Sequence, residues 1–270
     1  MLQSQIGNVE INGASLAYET AGAGPPMVML HGHLLDQHQW DDQFQSFASD
    51  YQVVRYDARG FGRSTLPPAD YNHAADLHGL MRFLDLDHAF LMGCSGGGAT
   101  CIDFTLQYPA MVDGLILVGT GIAGFQPSGP PPPSLLAMSE ALKRGAIDEA
   151  VEYSLQVWTD GQRRTPDQVN QAARERTRVM TAQLFSRRPV EGAVQQTFAP
   201  DALARLDEIR APMLAIVGSE DDQMLHDIAD MIAAQSPNAQ RVVMPDAGHH
   251  PNLEHPEAFE QIVRSFLSGL

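Results

Sequence analysis

A chain of 270 residues is long enough for one large domain, or for a core domain carrying an inserted one. Its 17 Lys and Arg against 33 Asp and Glu leave a formal charge of −16, which repels nucleic acid and anionic membrane surfaces and disfavours anionic substrates unless a local basic site overrides it. No apolar run reaches the ~18 residues of a membrane helix, Met1 to Gln5 lacks a basic segment ahead of an apolar stretch, and Cys94 and Cys101 are too few for a disulfide framework, so the expectation is a cytoplasmic protein.

Residues 6–11 and 15–20 read as strands around Asn12-Gly13, a strong hairpin signal. Short apolar runs follow at 27–30, 52–56, 90–92, 115–118, 213–217 and 241–244, each trailed by Gly, Asp or Pro. Near-continuous apolar strands of this length suit a parallel sheet buried on both faces. Helical patterns lie between them. The last is the clearest, with Phe259, Ile262, Val263, Phe266 and Leu267 on one face and Pro256 in the first turn. The expected fold is α/β, a doubly wound, mostly parallel eight-stranded sheet flanked by helices, with sites at the carboxyl ends of its strands.

The alternation stops near Gly119. Residues 121–129 are loop-like, residues 130–133 are a polyproline stretch, and 134 to about 206 read as wholly helical. Thr165-Pro166-Asp167-Gln168 reads as a capping box that opens a long helix to about Arg187. Residues 1–120 and 207–270 are therefore assigned to a core, and 121–206 to a helical cap inserted after the sixth strand and lying over the strand ends.

Gly93-Cys94-Ser95-Gly96-Gly97 sits between a strand and a helical stretch, the context of a nucleophile elbow. A tight turn there strains the backbone, so the neighbours must be small, and the helix start favours developing negative charge. A serine hydroxyl needs a base to take its proton. His249, in the loop after the last strand, is the candidate, with the adjacent His250 expected to point elsewhere. The base needs a carboxylate on its second nitrogen. Glu220, Asp221 and Asp222 follow the strand at 213–217; Asp221 is preferred, Asp222 comes second and Glu220 last. Gly96, which follows the nucleophile, is a candidate oxyanion donor through its backbone N–H.

These motifs together resemble the α/β-hydrolase superfamily over residues 1–120 and 207–270. His31-Gly32-His33 resembles its His-Gly-x turn. Asp57-Ala58-Arg59-Gly60-Phe61-Gly62-Arg63-Ser64 resembles its Asp-x-Arg-Gly-x-Gly-x-Ser loop, here read as structural, with Arg59 bridging loops. Gly248-His249 through Pro256 resembles its catalytic-histidine loop. The resemblance implies a second oxyanion donor at the His33 amide and an esterase or lactonase chemistry resembling that of enol-lactone hydrolases. Cys94 stands where relatives often carry His, and is read as packing.

The expected activity is cleavage of carboxylic esters or lactones of small to medium apolar acyl groups, with no cofactor and no metal. The expected partner is the small-molecule substrate alone, with a homodimer left open. Apolar cap residues are candidates for the acyl site, with Phe125, Met138, Trp158 and Leu184 foremost among a set that includes Leu135, Leu136, Leu142, Met180 and Phe185. Two alternatives keep the scaffold: a slow-turnover ligand receptor, and a C–C bond hydrolase or lyase. A third, a metallo-hydrolase built on His31, His33, Asp36 and His38, fails on the spacing its ligands require.

Overall fold

In the computed structural model, which describes residues 3–127, 129–196 and 201–270, Ser4–Ile11 (β1) and Ala14–Ala21 (β2) pair antiparallel. Asn12 and Gly13 both take positive φ, 49° and 78°, which a two-residue turn between right-twisted strands requires. Pro26–Leu30 (β3), Gln52–Tyr56 (β4), Ala89–Cys94 (β5), Val112–Val118 (β6), Met213–Gly218 (β7) and Ala239–Met244 (β8) complete one eight-stranded sheet in the order β1-β2-β4-β3-β5-β6-β7-β8. β2 meets β4 antiparallel, and every pair from β4 to β8 is parallel. This is the expected fold class.

Alternation along the strands sorts the helices. Met27 and Met29 of β3, Ile116 and Val118 of β6, and Leu214 and Ile216 of β7 face one side. There they pack on Phe44 and Phe47 of Asp41–Phe47 (α1) and on Phe259, Val263, Phe266 and Leu267 of the final helix. The opposite residues, such as Val28, Leu115, Leu117 and Val217, meet Leu77 and Leu80 of His73–Phe83 (α2), Ile102 and Phe104 of Gly96–Gln107 (α3), and the helix after β7. Cys94 belongs to the first face and Cys101 to the second, so the sheet separates the two thiols.

Between β6 and β7 run Pro133–Lys143 (α4), Ile147–Leu155 (α5) and Gln171–Phe185 (α6). The insertion is less helical than its sequence suggests. Thr165 and Gln168 do form a capping box, but it caps only the short turn Pro166–Gln168. Val169 turns extended, and α6 starts afresh under an Asn170 cap. Beyond α6 the chain leaves helix, and Gln195 bridges to Tyr71. Residues 128 and 197–200 of the expected insertion lie outside the described residues. A turn at Ala202–Glu208 then returns Ala202 and Leu206 to the core. Gln223–Gln235 (α7), Pro251–Glu254 (α8) and Pro256–Leu267 (α9) follow. No described helix is long and apolar enough to cross a membrane.

The loop after β4 is structural. Arg59 donates to both carboxylate oxygens of Asp76 at 2.7 Å and to the carbonyls of Ile11 and Asn12 at 3.2 and 3.1 Å. Both partners are buried, at 2% and 1% side-chain exposure. Removing the cation strands a buried carboxylate. Arg59→Met is therefore expected to lower the free energy of unfolding in urea by about 3–5 kcal/mol.

Candidate active site

Ser95 stands between β5 and α3 at φ 51° and ψ −116°, backbone that a non-glycine residue adopts only under constraint. The constraint is local. The Ser95 N–H donates to the Val118 carbonyl of β6 at 2.8 Å, and its carbonyl accepts from Ala99 at 3.0 Å. A Cβ on Gly93 would come within 2.6 Å of the Gly97 backbone, so the strand and the helix can close this tightly only without side chains between them. Neither the Gly96 nor the His33 amide N–H has an acceptor among the described hydrogen bonds. Leu34, next to His33, also holds positive φ, 71°. The His33 ring lies directly against Gly96 and stacks on Phe61 at 5.7 Å.

His249 is buried, and its Nδ1 lies 2.9 and 3.1 Å from the two Asp221 oxygens. A carboxylate only accepts, so Nδ1 carries the proton and Nε2 keeps its lone pair. The neighbouring acids are otherwise engaged. Asp222 accepts from Met224 N–H as the cap of α7, and Glu220 pairs with Arg163. Asp221 also accepts the Asp222 N–H at 2.9 Å.

The inserted segment holds the histidine loop. The Trp158 carbonyl accepts the His249 N–H at 3.0 Å, and the Trp158 ring packs 4.8 Å from the imidazole. Arg164 donates to the Asp246 carbonyl and to Glu254, each at 2.8 Å, and Glu254 in turn accepts the Gly248 N–H at 2.7 Å. Gly119, at φ 49°, lies against the other side of the pair; a Cβ there would stand 2.8 Å from His249 Nδ1 and 3.1 Å from Asp221 Oδ2.

Ser95 and His249 line one cavity of about 300 Å³, with no hydrogen bond between them in this conformation. Its other walls are His33, Leu34, Leu35 and His250 from the core, and residues of α4 to α6 above. Of the acyl-site candidates, Met138 and Trp158 line this cavity, as does Leu135. Phe125 lines an adjacent cavity that shares Leu135 and Trp158, while Leu184 lies in neither wall. His250 does not turn away as expected. It lines the Ser95 cavity, edge-on to His249 with ring centroids 5.1 Å apart. Ser154, Thr177 and Thr181 also line it; as lone polar residues in helical runs they gave no sequence signal.

Burial, and then the neighbouring His249, hold the His250 imidazole well below its ordinary range. Desolvation, and then His31, lower His33. Both rings are therefore neutral near pH 7. Cys94, His249 and His250 place one donor atom each within 4.8 Å of one another. Burial pushes the Cys94 thiol up to about 12 and Asp221 takes His249 Nδ1, so the trio is poorly suited to a metal ion. The His31–His38 run does not converge either. His31 uses one ring nitrogen on the Gly32 carbonyl and the other on the Ala58 N–H, and His38 faces Asp41.

The sequence profile described as "Alpha/beta hydrolase family" matches residues 27–262. A 2-hydroxy-6-oxononadienedioate/2-hydroxy-6-oxononatrienedioate hydrolase of Paraburkholderia phymatum is 30% identical over 265 residues, which cover 93% of this chain and 90% of the relative. Among solved structures, Est816, titled an N-acyl homoserine lactone degrading enzyme, superposes with a TM-score of 0.77 at 25% identity, over 96% of this chain and 100% of its own. A thermophilic esterase from Thermogutta terrifontis does so with a TM-score of 0.75 at 25% identity, over 98% of both chains.

Gly119→Ala is expected to cost about 1–3 kcal/mol of stability through its positive φ. It should also push the imidazole off Asp221, read as loss of the deshielded His249 Nδ1 proton resonance. A retained resonance would show that the pair tolerates a methyl group there.

Proposed function

The chain belongs to the α/β-hydrolase family, and from that premise we propose that it is a serine hydrolase of uncharged carboxylic esters or lactones. The observation that carries the reading is Ser95 on a strained turn, sharing one cavity with an imidazole whose far nitrogen is fixed by a buried carboxylate. In this reading Ser95 attacks the acyl carbon while His249 Nε2 takes the proton, and Asp221 holds the imidazolium that forms. The Gly96 and His33 amides, without an acceptor among the described residues, receive the oxyanion. His249 returns the proton to the leaving oxygen, then activates water to hydrolyse the acyl-enzyme. Helices α4 to α6 act as a cap that excludes water and shapes the substrate chamber.

Charge favours an ester or lactone over the relatives' chemistry. The name of the Paraburkholderia phymatum relative specifies a dioate, a substrate with two carboxylates. A buried carboxylate needs a cation or several donors. Among the described residues no Lys or Arg lines the Ser95 cavity, the His33 and His250 imidazoles are neutral, and leucines, Met138 and Trp158 supply its apolar walls. Its volume, at the small end of ligand sites, supports small to medium acyl groups. Carbon–carbon hydrolysis remains a second reading on the strength of the 30% identity.

A fluorophosphonate probe should label Ser95, and His249→Ala should abolish the label. Ser95→Ala is expected to lower kcat by about 10⁵–10⁶-fold and Asp221→Asn by about 10⁴, with Asp222→Asn near wild type. A silent Asp221→Asn beside a crippling Asp222→Asn would reassign the acid. Against a dienedioate, neutral esters should be favoured in kcat/KM by more than roughly 100-fold, the cost of burying unpaired charge. The opposite preference would establish the second reading, and labelling without multiple turnover would indicate a ligand receptor.

A further inference from the structure

The peptide groups leading to His249 are bonded by one buried ion pair. Glu254, at 1% side-chain exposure, accepts the Gly248 N–H at 2.7 Å through Oε1, and Arg164, at 11%, donates to the Asp246 carbonyl at 2.8 Å. The two partners meet in a forked contact, with Arg164 Nη1 2.8 Å from Glu254 Oε2 and Nη2 3.2 Å from Oε1. The same guanidinium donates to the Thr159 and Asp160 carbonyls at 2.7 and 2.9 Å. Those residues follow Trp158, whose carbonyl accepts the His249 N–H at 3.0 Å. The bonds close a ring, from the His249 N–H through Trp158 and Thr159 to Arg164, across to Glu254 and back to Gly248. The ring has no slack at Gly248. A Cβ there would stand 2.6 Å from the Thr159 carbonyl oxygen, 2.8 Å from Arg164 Nη2 and 3.3 Å from Glu254 Oε1.

The loop inside this ring needs holding. Asp246 takes φ 55°, backbone that a non-glycine residue keeps only under constraint. Asp221 fixes one nitrogen of the His249 ring, but it does not bond the backbone that carries the ring. A buried ion pair adds little net stability over apolar side chains of the same volume, so stability alone does not account for Arg164 and Glu254. What the pair has and an apolar pair lacks is directed donors and acceptors, and these end on the residues next to the base. We propose that Glu254 and Arg164 are positioning residues for His249. By fixing the backbone from Asp246 to His249, they hold Nε2 where it can take the Ser95 proton. Neither side chain lines the Ser95 cavity, so both act through the imidazole and not on the substrate. Arg164 belongs to the insertion and Glu254 to α8 of the core, so the base is set from both. The inference rests on the proposed hydrolysis at Ser95 and adds two residues to its Ser-His-Asp machinery.

Glu254→Gln keeps the shape of the side chain and removes its charge, whereas Arg164→Lys keeps the charge and loses the fork. The test compares both full-length variants with the unaltered protein on p-nitrophenyl butyrate. A base displaced by about 1 Å costs on the order of 100-fold, so kcat is expected to fall roughly 30–100-fold for Glu254→Gln and roughly tenfold for Arg164→Lys, with KM held within about threefold because the cavity walls are untouched. The rate at which fluorophosphonate labels Ser95 should fall in parallel. Arg164→Lys leaves the buried carboxylate with a cation, so it carries the test if Glu254→Gln does not fold. Unchanged kcat and labelling rate in a folded variant overturn the inference and leave the serine hydrolase standing. So does a loss that merely tracks the unfolded fraction read by circular dichroism, or a rise in KM at constant kcat. An unaltered protein that turns over no ester and leaves Ser95 unlabelled removes both.

Discussion

Ser95 occupies backbone that costs about 1–3 kcal/mol to maintain, and the carboxyl end of the sheet is arranged around keeping it there. The strand order places β5 between β3 and β6, so the loops that leave those two strands flank the turn. β6 supplies the carbonyl that binds the Ser95 N–H, and β3 leads into His33, whose ring rests on Gly96. β7 and β8 lie farther out, and their loops bring in Asp221 and His249. Leu34 and Asp246 join Ser95 with positive φ, so three loops of the site hold backbone that local preference alone would not choose. Ser95 and Asp246 are held by hydrogen bonds from elsewhere in the chain, their N–H groups donating to the Val118 carbonyl and the Ser219 hydroxyl.

That distribution explains what was legible in the sequence. The sheet was readable because apolar runs and Asn12-Gly13 report local preferences. Ser95 and His249 were readable because glycine spacing and position after a strand betray a crowded turn. Asp221 over Asp222 was only a preference, since the choice depends on which carboxylate the α7 cap consumes. The capping box at Thr165 was real, but Val169 ended its helix within one turn. His250 defeated the reading altogether. Its direction follows from the backbone between Gly248 and Pro251, which Arg164 and Glu254 fix from about 85 residues away in one direction and a few in the other. Gly119 gave no signal because its neighbours, His249 and Asp221, are remote in sequence.

The family likeness and the cavity carry different information. A 30% identical relative and two superposed structures share the scaffold, and they are described as a hydroxy-oxo-dienedioate hydrolase, a lactone degrading enzyme and an esterase. The fold alone does not separate these chemistries. The cavity at Ser95 is lined by twelve residues, Ser95 among them and half of them from the inserted segment, with no Lys or Arg in that lining among the described residues.

The joint between Arg164, Glu254 and Trp158 changes what the cap is. A lid that merely covers a site can swing clear and leave a working machine beneath. Here the segment from Trp158 to Arg164 grips the His249 loop through the His249 N–H, the Asp246 carbonyl and the carboxylate under Gly248. That stretch is scaffolding. Helices α4, α5 and α6 make none of these three contacts, which come from the stretch between α5 and α6. A chain pruned of its whole insertion would not gain a roomier chamber. It would lose the contacts that hold the His249 loop in place.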